Sequence, residues 1–167
     1  MGSFVSKNWK GELNRLATEF WFRSGDAAEV TPWVEAAYEA GETAVELAEM
    51  WGGADIERTR SHLQFLAKQI NGFEPWSDAA QPLAVAALER ALRRYVAHEI
   101  DPATLCRLVD DLDAAFLDKP PMPNLDRWMG NLWNCCDWCD ATWTFDKVPH
   151  LEAEAVAVLA RLAAAKC

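Results

Sequence analysis

Apolar residues recur along most of this chain at intervals of three and four positions, the spacing that places side chains on one face of an α-helix. Short stretches rich in glycine, proline and aspartate interrupt the recurrence. No segment shows the sustained alternation of apolar and polar residues that a half-buried strand requires. The sequence therefore predicts an all-α protein, a bundle of about seven helices that forms one domain over residues 1–167. Short predicted loops favour mostly antiparallel neighbours.

The richest apolar pattern lies at residues 128–145, which hold four of the nine tryptophans and three of the five cysteines. On a single helix, one face would carry seven apolar side chains: Leu125, Trp128, Met129, Leu132, Cys136, Cys139 and Trp143. An aromatic face of this width needs several other helices to cover it. We therefore predict that residues 128–145 form a central or penultimate helix of the bundle.

Capping signals predict where several of the other helices begin and end. The second helix is predicted over residues 31–51, because a threonine and a proline open it and two glycines follow it. Gly72 is the predicted stop of the third helix. Asp101 followed by Pro102, and later Pro149, are predicted starts of helices.

Five glutamates follow the polar side of the predicted second helix at steps of four, three, four and three: Glu35, Glu39, Glu42, Glu46 and Glu49. On one continuous helix they would form a stripe of like charges. One interpretation is a solvated face balanced by Arg58, Arg60 or Lys68 on the next helix. The other is a docking strip for a basic protein partner, which would raise the rate of association more than the final affinity.

Four tryptophans in residues 128–145 step by five positions and therefore spiral around a helix, so that some must face away from the apolar stripe. Trp133, Asp137 and Asp140 are predicted to form an exposed aromatic and acidic patch. Aromatic residues beside carboxylates are common anchors of protein interfaces, although burial under a neighbouring helix is the alternative for any one tryptophan.

The charge of the chain limits the classes of partner. The formal net charge is −10 and the pI is about 4.7, so the electrostatic field disfavours nucleic acid and anionic lipid and favours a basic protein.

No stretch approaches the ~18 apolar residues of a membrane span. Five cysteines, an odd number in a chain long enough for a full core, indicate reduced thiols rather than a disulfide framework. We expect a cytoplasmic protein.

The cysteines leave three interpretations open. Cys136 and Cys139 have CxxC spacing directly after Cys135, but a redox pair usually needs a helix N-terminus, and this pair lies within a predicted helix. A metal site would have to recruit His150 or Cys167, because a second clustered pair is missing. Small buried hydrophobic residues are the third and favoured interpretation. We therefore expect no metal, no cofactor and no catalytic set.

Two pairs of carboxylates have the ExxE spacing that begins the metal site of all-α nucleotide pyrophosphohydrolases: Glu39 with Glu42, and Glu46 with Glu49. The ExxD that completes such a site is absent downstream, and Asp110 with Asp113 has the right spacing but the wrong first residue. A divalent-metal-dependent nucleotide hydrolase using the carboxylates of residues 35–49 is therefore an alternative function. A helical regulatory or dimerisation module is another.

In size, acidity and helical class, the chain resembles bacterial immunity proteins, which neutralise the cognate toxins of contact-dependent or secreted systems. The matching surface features are the glutamates of residues 35–49 and the patch of Trp133, Asp137 and Asp140. The resemblance implies a non-catalytic protein that binds a toxin with a basic surface, such as a nuclease, and blocks it by occlusion or exosite binding. The oligomeric state does not follow from the sequence.

Overall fold

The computed structural model describes residues 8–116 and 129–165. Every regular element within these ranges is a helix, which confirms the all-α prediction. Of the eight α-helices in the described ranges, seven have seven or more residues, in agreement with the predicted number. None of these helices combines the length and apolar character needed to cross a membrane.

The α-helices, numbered in chain order, are α1 (Trp9–Trp21), α2 (Val30–Glu39), α3 (Val45–Trp51), α4 (Ile56–Asn71), α5 (Gln81–Val96), α6 (Pro102–Phe116), α7 (Leu132–Cys136) and α8 (Pro149–Ala165). The described ranges also contain three 3-10 turns: Ala27–Glu29, Asp78–Ala80 and Phe145–Lys147. The chain groups into two compact units, residues 1–83 and residues 84–167. The prediction of one domain over residues 1–167 therefore stays a prediction.

In the first unit, α1 packs along α4 and also contacts α2, while α3 contacts both α2 and α4. The apolar faces of all four helices supply its core: Leu13, Leu16, Phe20, Trp33, Leu47, Met50, Leu63 and Leu66. Each large side chain buried in this way stabilises the fold by roughly 1.5–3 kcal/mol relative to an exposed one. The predicted stop of α4 is confirmed, because Gly72 ends the helix with φ +61°. At the other end, Asp55 caps the helix, since its Oδ1 accepts a hydrogen bond from the Arg58 backbone N–H (2.8 Å).

The predicted single helix over residues 31–51 is wrong, because the chain forms two helices there. α2 ends in a Schellman motif, in which the N–H of Glu42 donates to Ala37 O (3.0 Å) and the N–H of Gly41 donates to Tyr38 O (2.9 Å). Gly41 has φ +93°, a conformation that residues with a Cβ rarely adopt. The chain therefore turns before it starts α3.

In the second unit, α7 contacts both α6 and α8. Its core is built from α5 to α8 and is mainly aliphatic: Leu88, Leu92, Tyr95, Leu105, Leu112, Phe116, Leu132, Leu151 and Val158. The predicted starts at Pro102 and Pro149 are confirmed. Asp101 caps α6 by accepting a hydrogen bond from the Thr104 N–H (2.7 Å), and its hydrogen bonds with Thr104 lower the pKa of the Asp101 carboxyl.

The prediction of one helix over residues 128–145 is also wrong. Met129 is helical, but Gly130 has φ +58°, and α7 contains only five residues before the chain leaves the helix at Asp137. A Cβ on Gly130 would lie 2.6 Å from Glu154 Oε1, the atom that accepts a hydrogen bond from the Asn131 N–H (2.8 Å). Leu125 and Trp128, which belonged to the predicted stripe, lie outside the described residues.

Candidate functional site

The five predicted glutamates do not form a stripe on one helix. Glu35 and Glu39 lie on α2, Glu46 and Glu49 lie on α3, and Glu42 lies in the turn between them, where its Oε1 accepts a hydrogen bond from the Thr43 backbone N–H (3.0 Å). The continuous strip predicted from periodicity is therefore wrong, although the charges remain on the first unit.

Two of the three cations proposed to balance these glutamates, Arg60 and Lys68, pair with other residues. Arg60 contacts Glu57 (3.7 Å) and Lys68 contacts Glu74 (3.1 Å). His62 of α4 instead approaches Glu49, with Nε2 and Oε2 2.6 Å apart at an ion-pair distance but without hydrogen-bond geometry. Glu49 is thus held against α4, which separates it from the two glutamates of α2.

Glu35 and Glu39 line a groove together with two aromatic residues, Tyr38 of α2 and Trp51 at the end of α3. We call this the α2–α3 groove. Glu35, Tyr38 and Glu39 are three and four positions apart and so share one face of α2, while the neighbouring Trp33 faces the core. The groove is open to solvent and has a volume of about 490 Å³.

Both aromatic rings of the α2–α3 groove are accessible, since Tyr38 is 40% exposed and Trp51 is 59% exposed. Among the described residues, neither Glu35 nor Glu39 forms an ion pair. Exposed aromatic rings beside unneutralised carboxylates suit a cationic group, which would be attracted both by the ring faces and by the negative charges. Sequence reasoning found the two glutamates but missed Tyr38 and Trp51.

The structure places the second predicted set, Trp133, Asp137 and Asp140, at the surface of the second unit. Trp138, which sequence reasoning did not single out, is the most exposed large apolar residue in the described ranges at 88%, and its φ of +70° turns it away from the helix. Asp140 Oδ1 accepts hydrogen bonds from the Thr142 backbone N–H (2.7 Å) and side-chain hydroxyl. These bonds lower the pKa of the Asp140 carboxyl, so it stays charged.

Asp137 adds to an acidic surface shared with α6. Burial, followed by the charges of Asp111, Asp113 and Asp137, raises the pKa of the Asp110 carboxyl.

The two halves of the metal site considered for a nucleotide hydrolase belong to different units. Asp110 and Asp113 lie in the second unit, whereas the ExxE glutamates lie in the first. Nowhere in residues 8–116 or 129–165 are three or more His, Cys, Asp or Glu residues arranged to hold a metal ion.

The thiols form a cluster that sequence reasoning only partly anticipated. Cys106 of α6 is within hydrogen-bonding reach of both Cys136 and Cys139, and it is buried with Cys136. The contact with Cys136 and burial raise the pKa of the Cys106 thiol above its ordinary range. Burial, followed by the contact with Cys106, raises the pKa of Cys139 to about 12. Thiols in this state are weak nucleophiles and weak metal ligands.

We therefore expect the clustered thiols to react slowly in the folded protein. With a pKa of about 12 for Cys139, its thiolate fraction near pH 8 is roughly a thousandth of that of an unperturbed cysteine. Iodoacetamide labelling at pH 8, followed by peptide mass spectrometry, should show Cys139 reacting at least ~100-fold more slowly in native than in guanidinium-unfolded protein. Native labelling within tenfold of the unfolded rate would contradict this assignment.

Comparison of the chain with protein-family models, with curated proteins and with solved structures yields no match.

Proposed function

We propose that this protein is a non-catalytic binding protein that recognises a basic protein partner through the α2–α3 groove. The observation that carries the proposal is the combination of two exposed aromatic rings with two unneutralised carboxylates in one groove. Aromatic residues dominate the energy of protein interfaces, and complementary charge speeds the encounter. The net charge of −10 extends the attraction beyond the groove itself.

We further propose that the partner is a toxin and that the protein acts as its immunity protein. Many toxins of this kind are nucleases whose clefts must receive phosphates and are therefore basic. An acidic surface that covers such a cleft, or docks beside it, would exclude the nucleic acid. The supporting observations are the acidic composition, the all-α fold and the α2–α3 groove.

The test uses the protein encoded by the neighbouring reading frame of the native host. We expect this protein to be toxic when expressed alone, to be tolerated when co-expressed with the chain described here, and to form a stoichiometric complex with it. The double variant E35K/E39K should weaken that complex at least ~30-fold, equivalent to about 2 kcal/mol, because two attractive contacts become repulsive. Calorimetry on the purified proteins measures the dissociation constant.

The control is E57K, which makes the same glutamate-to-lysine substitution on an exposed residue of α4 and half the change of net charge of E35K/E39K. E57K should change the dissociation constant by less than ~3-fold, since a charge outside the contact acts only at long range. If E57K cost half the binding free energy that E35K/E39K costs, net charge alone would explain the weakening. If E35K/E39K bound the partner with unchanged affinity, the α2–α3 groove would not be part of the interface.

A further inference from the structure

We propose that the α2–α3 groove is a receptor for an arginine side chain presented by the partner, with the guanidinium lying on Trp51 or Tyr38 and bonded to Glu35 or Glu39. This inference rests on the proposed function for the identity of the groove as a docking site, and it adds the chemistry of the occupant. The groove volume of about 490 Å³ is ample for one long side chain and a short length of its backbone.

Charge complementarity selects a cation as the occupant. The two carboxylates of the α2–α3 groove carry no ion pair within the described part of the chain, although other acidic residues of the first unit are paired with Arg15, Arg60, His62 or Lys68. A cation from outside would neutralise both carboxylates without displacing an internal partner. An uncharged apolar side chain would instead leave them facing a less polar neighbour, at a cost in desolvation.

The first unit itself contains an arginine stacked on a tryptophan and another arginine bound by carboxylates, the two kinds of contact proposed for the groove. The Arg60 guanidinium lies over the Trp21 ring, 4.1 Å from the ring centroid, and its Nε donates to Trp21 O (3.1 Å). Three carboxylates surround the Arg15 guanidinium, at 2.5 to 2.8 Å: Glu12, Glu19 and Glu29. The α2–α3 groove offers the same two kinds of partner, an aromatic plane and carboxylates, and none of the described residues that line it is a cation.

Arginine fits this groove better than lysine does. A guanidinium is planar, so it stacks on an indole or phenol ring while its N–H groups, which point outward in its own plane, still reach a carboxylate beside the ring. The ammonium group of lysine is compact and more strongly hydrated, so it gives up more solvation to reach the same position. The groove is therefore expected to discriminate between two side chains of equal charge.

The test is a titration of the whole protein, labelled with ¹⁵N, with three capped peptides: acetyl-Gly-Gly-Arg-Gly-Gly-amide and its lysine and citrulline counterparts. Citrulline keeps the shape of arginine and removes its charge. We expect the arginine peptide to shift the Trp51 indole N–H resonance and to saturate. The lysine peptide should bind at least ~3-fold more weakly and the citrulline peptide at least ~10-fold more weakly, because each lacks one of the two contacts.

Variants locate the site. W51A and E35Q/E39Q should each reduce the affinity for the arginine peptide at least ~5-fold, whereas W138A, which removes an even more exposed tryptophan in the other unit, should leave it unchanged. Because W51A lacks the Trp51 indole, its titration is followed at the backbone N–H resonance of Tyr38, which also lines the groove. Trp51 and both glutamates are exposed, so the variants are expected to fold, and circular dichroism is the measurement that checks this. Any of three results would overturn the inference. These are equal affinity for the arginine and citrulline peptides, equal affinity for the arginine and lysine peptides, and loss of binding in W138A.

The two proposals fail in different ways. If the arginine peptide binds as expected but the neighbouring protein is neither toxic nor bound, the immunity function is wrong and the arginine receptor stands. If E35K/E39K abolishes binding of the partner but the arginine peptide produces no shift at the Trp51 indole, the docking site stands and its proposed occupant is wrong.

Discussion

Replacement of Trp33 by alanine is expected to lower the free energy of unfolding by about 3–5 kcal/mol, the usual cost of removing a large aromatic side chain from a core. Trp33 is 1% exposed and joins α2 to α1 in two ways. Its indole Nε1–H donates to Trp9 O (2.8 Å), and its ring lies 6.2 Å from the Trp9 ring at an interplanar angle of 52°. W33A would leave a cavity and remove the hydrogen bond from the Trp33 indole to the Trp9 carbonyl.

The comparison of W33A with W33F separates these two contributions. Phenylalanine keeps most of the apolar volume but lacks the N–H, so W33F should cost about 1–3 kcal/mol, from the lost hydrogen bond and imperfect packing. Guanidinium denaturation followed by circular dichroism at 222 nm measures both variants against the parent. If W33A cost less than W33F, or less than about 1.5 kcal/mol, Trp33 would not be the link between α1 and α2.

Helix ends that carry a capping aspartate or a terminating glycine were predictable. For α4, the capping aspartate before the apolar repeat and the glycine after it lie at the observed boundaries. For α6, an aspartate followed by a proline marks the start, and the side chain of Asp101 makes the expected hydrogen bond to the Thr104 N–H. In these cases the sequence contains both the periodic core face and the groups that satisfy the free backbone ends.

The break between α2 and α3 was missed because the periodicity continues across it. Apolar and acidic residues keep helical spacing through Gly41, so a single glycine, which costs about 1 kcal/mol inside a helix, was the only local signal. The break near Trp138 was harder to foresee, since a tryptophan at φ +70° has no preference for that conformation.

The candidate site depends on the break that sequence reasoning missed. On one continuous helix, Tyr38 and Trp51 would be separated by thirteen residues and roughly 20 Å along the axis, too far to line one groove. The turn at Gly41 lets α3 contact α2 and brings the two rings to the same groove. Periodicity therefore identified Glu35 and Glu39, while the turn at Gly41 determined that they share a groove with Tyr38 and Trp51.

The cluster around Arg15 gives the second large expected effect. Arg15 bridges α1 to the 3-10 turn before α2 through Glu12, Glu19 and Glu29, and the Glu19 side chain is 7% exposed. Burial alone would lower the pKa of the guanidinium, but hydrogen bonds to Glu12 and Glu29 and the charge of Glu19 raise it above its ordinary value. Arg15 therefore stays protonated at every pH at which the fold persists.

R15M is expected to lower the free energy of unfolding by about 2–4 kcal/mol at pH 7, less than a fully buried pair would lose because Arg15 is partly exposed. The reason is the charge left behind: Glu12, Glu19 and Glu29 would each lose the Arg15 guanidinium, and Glu19 would lose it in a buried position. The double variant R15M/E19Q should recover part of the loss. R93M, which removes an exposed partner of Glu89, is the control and should cost less than about 1 kcal/mol.

Acid separates this electrostatic cause from a simple loss of packing. Protonation of the stranded carboxylates removes their mutual repulsion, so the deficit of R15M relative to the parent should shrink as the pH falls from 7 towards 4.5. A cavity left by a shorter side chain would give a deficit that does not depend on pH. Thermal denaturation across this pH range measures the difference, and a constant deficit would show that Arg15 stabilises the first unit through its aliphatic stem rather than its charge.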